Sequence, residues 1–351
     1  MRRNTLITFA AATVLVTAAA VFVPTPGGTR MANVATGSVF PSLKDWIAGA
    51  AKLTVTGASG TVTLERKGPA AKAGELPLDG WMLADKGGYP VDGSILRPIL
   101  AALVDLKTVE PKTERPKLYD RLDLGNPGDK GSESKAVALG DANGADIVKL
   151  IVGRRRYGLA GSDDGLYVRK PDDPHTWLAA PAFDLPGDTL SWVDRKLVDL
   201  DADKIRLISL TPAAAGTKPL VLTRDKAEAK LAILDLPKDF KPKSDNPGGD
   251  LAAAFRYLDL TDIEPAAKLT ALPVATAHVE TFDGLALDLT LVDQDGATWV
   301  KFAAKGTGDG AKAAEEIAQR TNGWAYKIPD ARVKTLETKL ADLQAPAAKG
   351  S

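Results

Sequence analysis

The sequence predicts an α+β protein: two tandem related modules with mainly antiparallel sheets and flanking helices, set after an N-terminal transmembrane helix. Three observations predict this. An uncharged run, apolar apart from Thr, extends from Leu6 to Val23 behind Arg2 and Arg3. A segment repeats: Asp105-Leu106-Lys107-Thr108-Val109-Glu110-Pro111 matches Asp259-Leu260-Thr261-Asp262-Ile263-Glu264-Pro265 at an offset of 154. Strand-like runs and helical stretches do not alternate regularly, which argues against a parallel α/β sheet.

In chain order, residues 1–28 read as the membrane anchor (or a signal peptide). Eighteen residues from Leu6 to Val23 nearly span a hydrocarbon core at about 1.5 Å per residue. The arginine pair predicts a cytoplasmic N-terminus, which places the rest of the chain in the periplasm. Ala18, Ala19 and Ala20 offer small residues for cleavage, but the run is longer than an h-region of about 7–15 residues, which favours an uncleaved anchor. Residues 29–51 read as a linker, a stalk whose bulky cluster is Trp46-Ile47.

The first module is predicted over 52–210 and the second over 211–345, with 346–351 as a tail. Each copy of the Glu-Pro repeat follows an amphipathic stretch. In the first, Ile95, Ile99, Leu103 and Leu106 share a helical face, with Pro98 expected in the first turn; in the second, Leu251, Phe255 and Leu258 repeat the spacing. Upstream, Val62-Thr63-Leu64-Glu65-Arg66 aligns with Leu220-Val221-Leu222-Thr223-Arg224 at an offset of 158. Downstream, each module continues as a meander. Asp141-Ala142-Asn143-Gly144 and Asp293-Gln294-Asp295-Gly296 sit between apolar runs and read as hairpin turns. Trp192 to Leu197 reads as a short helix before a strand from Ile205 to Leu210. A helix from Ala311 to Asn322, a strand near Ala325 to Ile328 and a final helix from Asp330 close the chain.

Composition excludes several chemistries. The 351 residues carry 45 Lys+Arg against 45 Asp+Glu, two His and no Cys. Zero net charge argues against nucleic acid as a partner. Without Cys there is no thiol catalysis, iron–sulfur cluster or Cys-based zinc site. A Gly-x-Ser-x-Gly elbow, a Walker loop and a strand-linked Gly-x-Gly-x-x-Gly are all missing from the sequence.

The order of short motifs resembles a known family, domain of unknown function 4340. The resemblance rests on the strand with Leu64, then Trp81, Tyr89-Pro90-Val91-Asp92, Tyr119, Leu124-Gly125-Asn126-Pro127, Tyr167-Val168-Arg169, Asp194-Arg195-Lys196-Leu197 and Gly323-Trp324-Ala325-Tyr326-Lys327-Ile328-Pro329. It implies an envelope protein anchored to the inner membrane, encoded beside a gliding-motility-type ABC transporter, with a non-enzymatic accessory role and no catalytic residue carried over.

Individual candidates read mostly as structural. His175, in the loop Pro171-Asp172-Asp173-Pro174-His175, reads as solvated rather than catalytic or metal-bound. His278 and Glu280 share a strand face, but two ligands do not make a metal site. Asp199, Asp201 and Asp203 imitate a calcium loop, with Lys204 where Gly is needed and Leu210 where Glu is needed. Gly57-Ala58-Ser59-Gly60 reads as a turn. Arg154-Arg155-Arg156 reads as a solvated loop, with attraction to lipid headgroups as the alternative. Trp81, Trp192, Trp299 and Trp324 read as core. The expected assignments are therefore no catalytic, cofactor-binding or metal residue and no cofactor. The expected function is a membrane-anchored, non-enzymatic accessory or scaffold subunit of an ABC-type transport system, held by Leu6–Val23 against a permease or auxiliary subunit. A periplasmic module binding a glycan, lipid or peptide in the cleft between the copies is the alternative, and a carboxylate-based envelope hydrolase ranks lowest.

Overall fold

In the computed structural model the structure describes residues 37–158, 164–214 and 216–346. The Leu6–Val23 segment assigned as an anchor lies outside these residues. Among the described residues no helix is long and apolar enough to cross a membrane.

The linker expectation is corrected from Ser38 onward, where the chain is already packed. Ser38 bridges to Lys107, and the Val39 N–H donates to the Leu106 carbonyl at 2.8 Å. Helix α1 (Leu43–Trp46) follows. Leu43 and Ile47, four residues apart, are both buried, and that burial turns a presumed stalk into part of the body.

Strands β1 (Ala50–Gly57) and β2 (Gly60–Arg66) form a hairpin through the expected Gly57–Gly60 turn. Strands β3 (Trp81–Leu83) and β4 (Tyr89–Pro90) extend that side. Helix α2 (Gly93–Asp105) is capped by Asp92, whose carboxylate accepts the Ser94 N–H at 2.8 Å. Its buried residues include Leu96, Ile99, Leu100 and Leu103. Pro98 sits inside the helix rather than in its first turn, because capping by Asp92 starts the helix at Gly93. Then come β5 (Lys107–Pro111), β6 (Lys135–Asp141), β7 (Asp146–Arg156), β8 (Gly165–Arg169) and β9 (Thr176–Ala180). The sheet order is β4-β3-β2-β1-β6-β7-β8-β9-β5, and each neighbouring pair is antiparallel.

The predicted helix at Trp192–Leu197 is instead a 3-10 turn, Thr189–Trp192, followed by β10 (Lys196–Val198). The Asp188 carboxylate accepts the Ser191 N–H and opens the turn, which ends where Val193 turns extended.

The second sheet is built from β11 (Ile205–Pro212), β12 (Leu220–Thr223) and β13 (Ala232–Ile233). Helix α3 (Pro247–Ala252) leads through a 3-10 turn to β14 (Leu258–Asp259), which pairs with β10. Then follow β15 (Asp262–Pro265), β16 (Pro273–Thr281), β17 (Leu285–Gln294) and β18 (Ala297–Gly306). Helix α4 (Gly310–Thr321), β19 (Trp324–Lys327) and α5 (Asp330–Leu336) complete it. The order is β13-β12-β11-β16-β17-β18-β19-β15. Without β4, the two sheets have the same strand order, each second-sheet strand taking the place of the strand ten labels earlier. Glu110-Pro111 pairs with Leu178 and Trp177, as Glu264-Pro265 pairs with Ala325 and Trp324. The expected boundary at residue 211 falls inside β11: the second sheet begins at Ile205, because Ile205, Ile208 and Leu210 alternate into its core. Among the described residues helix α4 has no counterpart in the first module; the Pro171–His175 turn stands in its place between β8 and β9.

One hydrophobic core runs through both sheets, joining Leu53, Leu64 and Trp81 to Ile208, Phe255 and Tyr326. A small cluster, Tyr119, Leu124 and Ile151, packs elsewhere on the first module. At the junction the Tyr89 ring meets Trp324 edge-on at 4.9 Å and Tyr326 at 6.1 Å. Lys86 pairs with Asp262 at 2.5 Å. These contacts hold the two modules together at this point of the junction. The core cannot exclude water across two sheets unless their adjoining faces are packed.

Candidate functional site

The residues singled out in the sequence do not converge. His175 donates or accepts at 2.5 Å from Asp173 through Nδ1 and lies 3.3 Å from Glu114 through Nε2. The Asp173 hydrogen bond raises its pKa above the ordinary histidine value. His278 sits mid-strand in β16. Its Nδ1 is 2.6 Å from Asp288 on β17, directly across the ladder, and its Nε2 is 3.2 Å from Glu280. Arg206 on β11 pairs with Glu280. Both ring nitrogens are therefore engaged by carboxylates. Among the described residues no group of three or more metal-ligating side chains is placed to hold an ion.

The Asp199 carboxylate accepts the Tyr257 N–H at 3.1 Å, which pulls its pKa below the ordinary range. Asp201 pairs with Arg256 at 3.6 Å. The triple arginine is corrected from loop to strand: β7 runs on through Arg156, held by Arg154 donating to the Arg121 carbonyl and by Arg155 pairing with Asp184 at 2.8 Å. Trp81, Trp192 and Trp299 are buried and Trp324 is half-buried, as core residues should be.

The chain does form an open apolar groove of about 740 Å³ on the first module, between the 39–49 segment and the β6–β7 hairpin. Val39, Phe40, Leu43 and Trp46 form one wall and Ala142, Ala145 and Ile147 the other. Leu43 of α1 and Ile47 just after it turn inward, which leaves Trp46 at the rim, 66 % exposed. The hairpin wall is held by the predicted turn. The Asp141 carboxylate accepts the Ala145 N–H at 2.8 Å and the Asn143 N–H at 2.9 Å, and Gly144 takes a positive φ. The Ala145 bond in particular holds the Asp141 carboxyl below its ordinary range. Asp146 is paired with Lys149 at 2.7 Å.

At one end the groove opens into a second recess of about 410 Å³. The two share Phe40, Asp146, Ile147 and Lys170, and the recess adds Val148, Lys149, Pro171, Asp172 and Asp173. The Lys170 ammonium stands 5.2 Å from the Phe40 ring centroid. A family model described as a domain of unknown function, DUF4340, matches residues 81–273, more than half of the chain. The chain belongs to the DUF4340 family.

In this DUF4340 protein the matched span starts at β3 and stops at the first residue of β16. It includes the hairpin wall of the groove and Lys170, while the wall from Val39 to Trp46 precedes it. No curated protein matches the chain. Sequence reasoning missed the groove because its first wall was read as linker. The one signal was Trp46-Ile47, a bulky pair in an otherwise Pro-, Gly- and Ser-rich stretch.

Proposed function

We propose that this DUF4340 protein is a non-enzymatic accessory or scaffold subunit of an ABC-type transport system in the cell envelope. In this reading Leu6–Val23 anchors it in the inner membrane as a single pass, with its bulk in the periplasm. The observation that carries the reading is the state of the groove's charges. Asp141 is committed to its own turn and Asp146 to Lys149, so the groove offers apolar contact rather than acid–base chemistry. The packed junction through Tyr89, Trp324 and Lys86–Asp262 supports a scaffold, because it joins the two sheets into one body.

Mild solubilisation of the full chain from its native membrane, affinity capture and mass spectrometry test this. An ABC-type permease recovered at near-equal amount is the expected result. Turnover of an envelope substrate by the purified chain, or capture without any transport component, overturns it.

The groove's size favours a second reading, a periplasmic binding module for a glycan, lipid or peptide. At about 740 Å³ it lies within the range of small-ligand sites, about 300–1,000 Å³. Thermal stabilisation of the chain by one such ligand is the expected sign, through linkage.

A further inference from the structure

We propose that the groove and its adjoining recess bind a zwitterionic phospholipid, with one acyl chain along the groove and the headgroup in the recess. The inference rests on the binding reading of this groove and on Leu6–Val23 as an anchor.

The apolar part fits a hydrocarbon chain. Val39, Phe40, Leu43, Trp46 and Ile147 line it, and an acyl chain asks nothing of a wall except contact and exclusion of water. The recess fits the head. Lys170 and Asp172, two residues apart, put a cation and an anion in one recess, continuous with the groove through Phe40 and Ile147. Among the described residues Lys170 makes no ion pair; its ammonium faces the Phe40 ring. A phosphate takes the ammonium and an amine takes the carboxylate, so a phosphoethanolamine-type head satisfies both. Asp146 is taken by Lys149 and Asp173 by His175. Lys170 and Asp172 are therefore the cation and anion of the recess without an ion-pair partner among the described residues, and a head bearing only negative charge leaves Asp172 uncompensated.

Position supports the same occupant. Between Val23 and Val39 lie residues 24–38, which span at most about 50 Å even when fully extended. An anchor ending at Val23 therefore keeps the groove within reach of the bilayer surface. An exposed indole at one end and a lysine at the other is also the pairing that favours a membrane–water boundary.

The test uses the full chain in bilayer nanodiscs. Phosphatidylethanolamine or phosphatidylglycerol carrying a photoreactive diazirine in the acyl chain is irradiated, and labelled peptides are mapped. The expected result is labelling of the peptides carrying Trp46 and Ile147, stronger for phosphatidylethanolamine by roughly fivefold. Ala145→Trp, which fills the groove from an exposed position, should cut the labelling roughly tenfold while the unfolding temperature holds. Lys170→Glu should remove the headgroup preference. Equal labelling by both lipids, labelling elsewhere, or labelling indifferent to Ala145→Trp overturns the proposal. So does a cross-link from the groove walls to Leu6–Val23, which would mean the chain fills its own groove. If lipid labelling fails while a permease still co-purifies, the lipid falls and the accessory role stands; the opposite pair of results reverses that.

Discussion

Arg66, the last residue of β2, and Arg224, the residue just after the equivalent β12, make the same contacts in the two sheets. Arg66 donates from Nε to the Ala50 carbonyl at 2.8 Å and from Nη1 to the Pro69 carbonyl at 2.7 Å. Arg224 donates from Nε to the Ile205 carbonyl at 2.7 Å and from Nη1 to the Ala227 carbonyl at 2.9 Å. In both, Nη2 reaches a carbonyl in the turn before the first strand, Ala48 or Ala202. Ala50 and Ile205 open their sheets, and Pro69 and Ala227 each lie three residues past the arginine. The repeat is thus kept in carbonyl contacts that do not depend on which side chains the partner residues carry.

Replacing either arginine should therefore cost a similar amount. Arg66→Met and Arg224→Met each leave carbonyls without a donor, a loss of about 1–3 kcal/mol. Denaturant titration of both variants checks this. A cost under about 0.5 kcal/mol, typical of ordinary surface positions, for either one would show that the clamp is not shared.

Gly87 should resist substitution for two reasons. Its φ is +65°, and a Cβ there would stand 2.5 Å from Cγ of Pro265 in the second module's Glu-Pro. Gly74 has a φ of +81° with open space around it. Gly74→Ala should cost only the backbone penalty, about 1–2 kcal/mol. Gly87→Ala should exceed it by about 1 kcal/mol or more through overpacking at the junction. Equal unfolding midpoints for the two variants would refute the contact.

Two buried tryptophans should differ in the cost of losing their N–H. Trp81 donates from Nε1 to the Pro77 carbonyl at 2.5 Å, whereas Nε1 of Trp192 is buried without an acceptor. Trp81→Phe removes a made hydrogen bond; Trp192→Phe removes an unpaired donor along with part of its ring. The first should be the more destabilising by about 1 kcal/mol. Reversal of that order in calorimetry would place an acceptor at Trp192.

His278 should make stability depend on pH in a stated direction. Burial works against its charge, but hydrogen bonds to Asp288 and Glu280 outweigh burial, so its folded pKa lies above the ordinary value of 6.5. A raised folded pKa means the charged cluster stabilises fully below about pH 6.5, and the contribution is lost as pH rises through the folded value. The gap in unfolding temperature between the native chain and His278→Gln should shrink from about pH 5.5 to about pH 8.5. His175 is also raised, by Asp173, but is present in both chains and cancels. A gap that widens with pH would contradict the assignment.

How far each feature was legible follows from what holds it. Asp295 and Gly296 take positive φ of 53° and 74° in the β17–β18 turn, as Asp-Gly chemistry predicts. The first hairpin was predicted alike, but there only Gly144 is positive, because the Asp141 carboxylate organises a longer turn. The second amphipathic stretch was expected to match α2, yet α3 ends at Ala252 before a 3-10 turn. Asn246 caps it at one end, and Tyr257 takes a φ of +47° beyond the other.

By itself the sequence determined the α+β class, the antiparallel meanders, the duplication around Glu110-Pro111 and Glu264-Pro265, and the tryptophans of the core. The class, the meanders and the core tryptophans depend on spacing and turn chemistry within about a dozen residues, and the duplication on comparing two such stretches. Only the tertiary structure decided that residues 38–49 are a wall and not a stalk. It also decided that His278 meets Asp288, that Tyr89 closes the junction against Trp324, and that Lys170 stands over Phe40. Each of those depends on strand register or on where a buried side chain such as Leu43 finds its cavity. Such pairings are chosen by competition across the whole core, so no local stretch of residues encodes them.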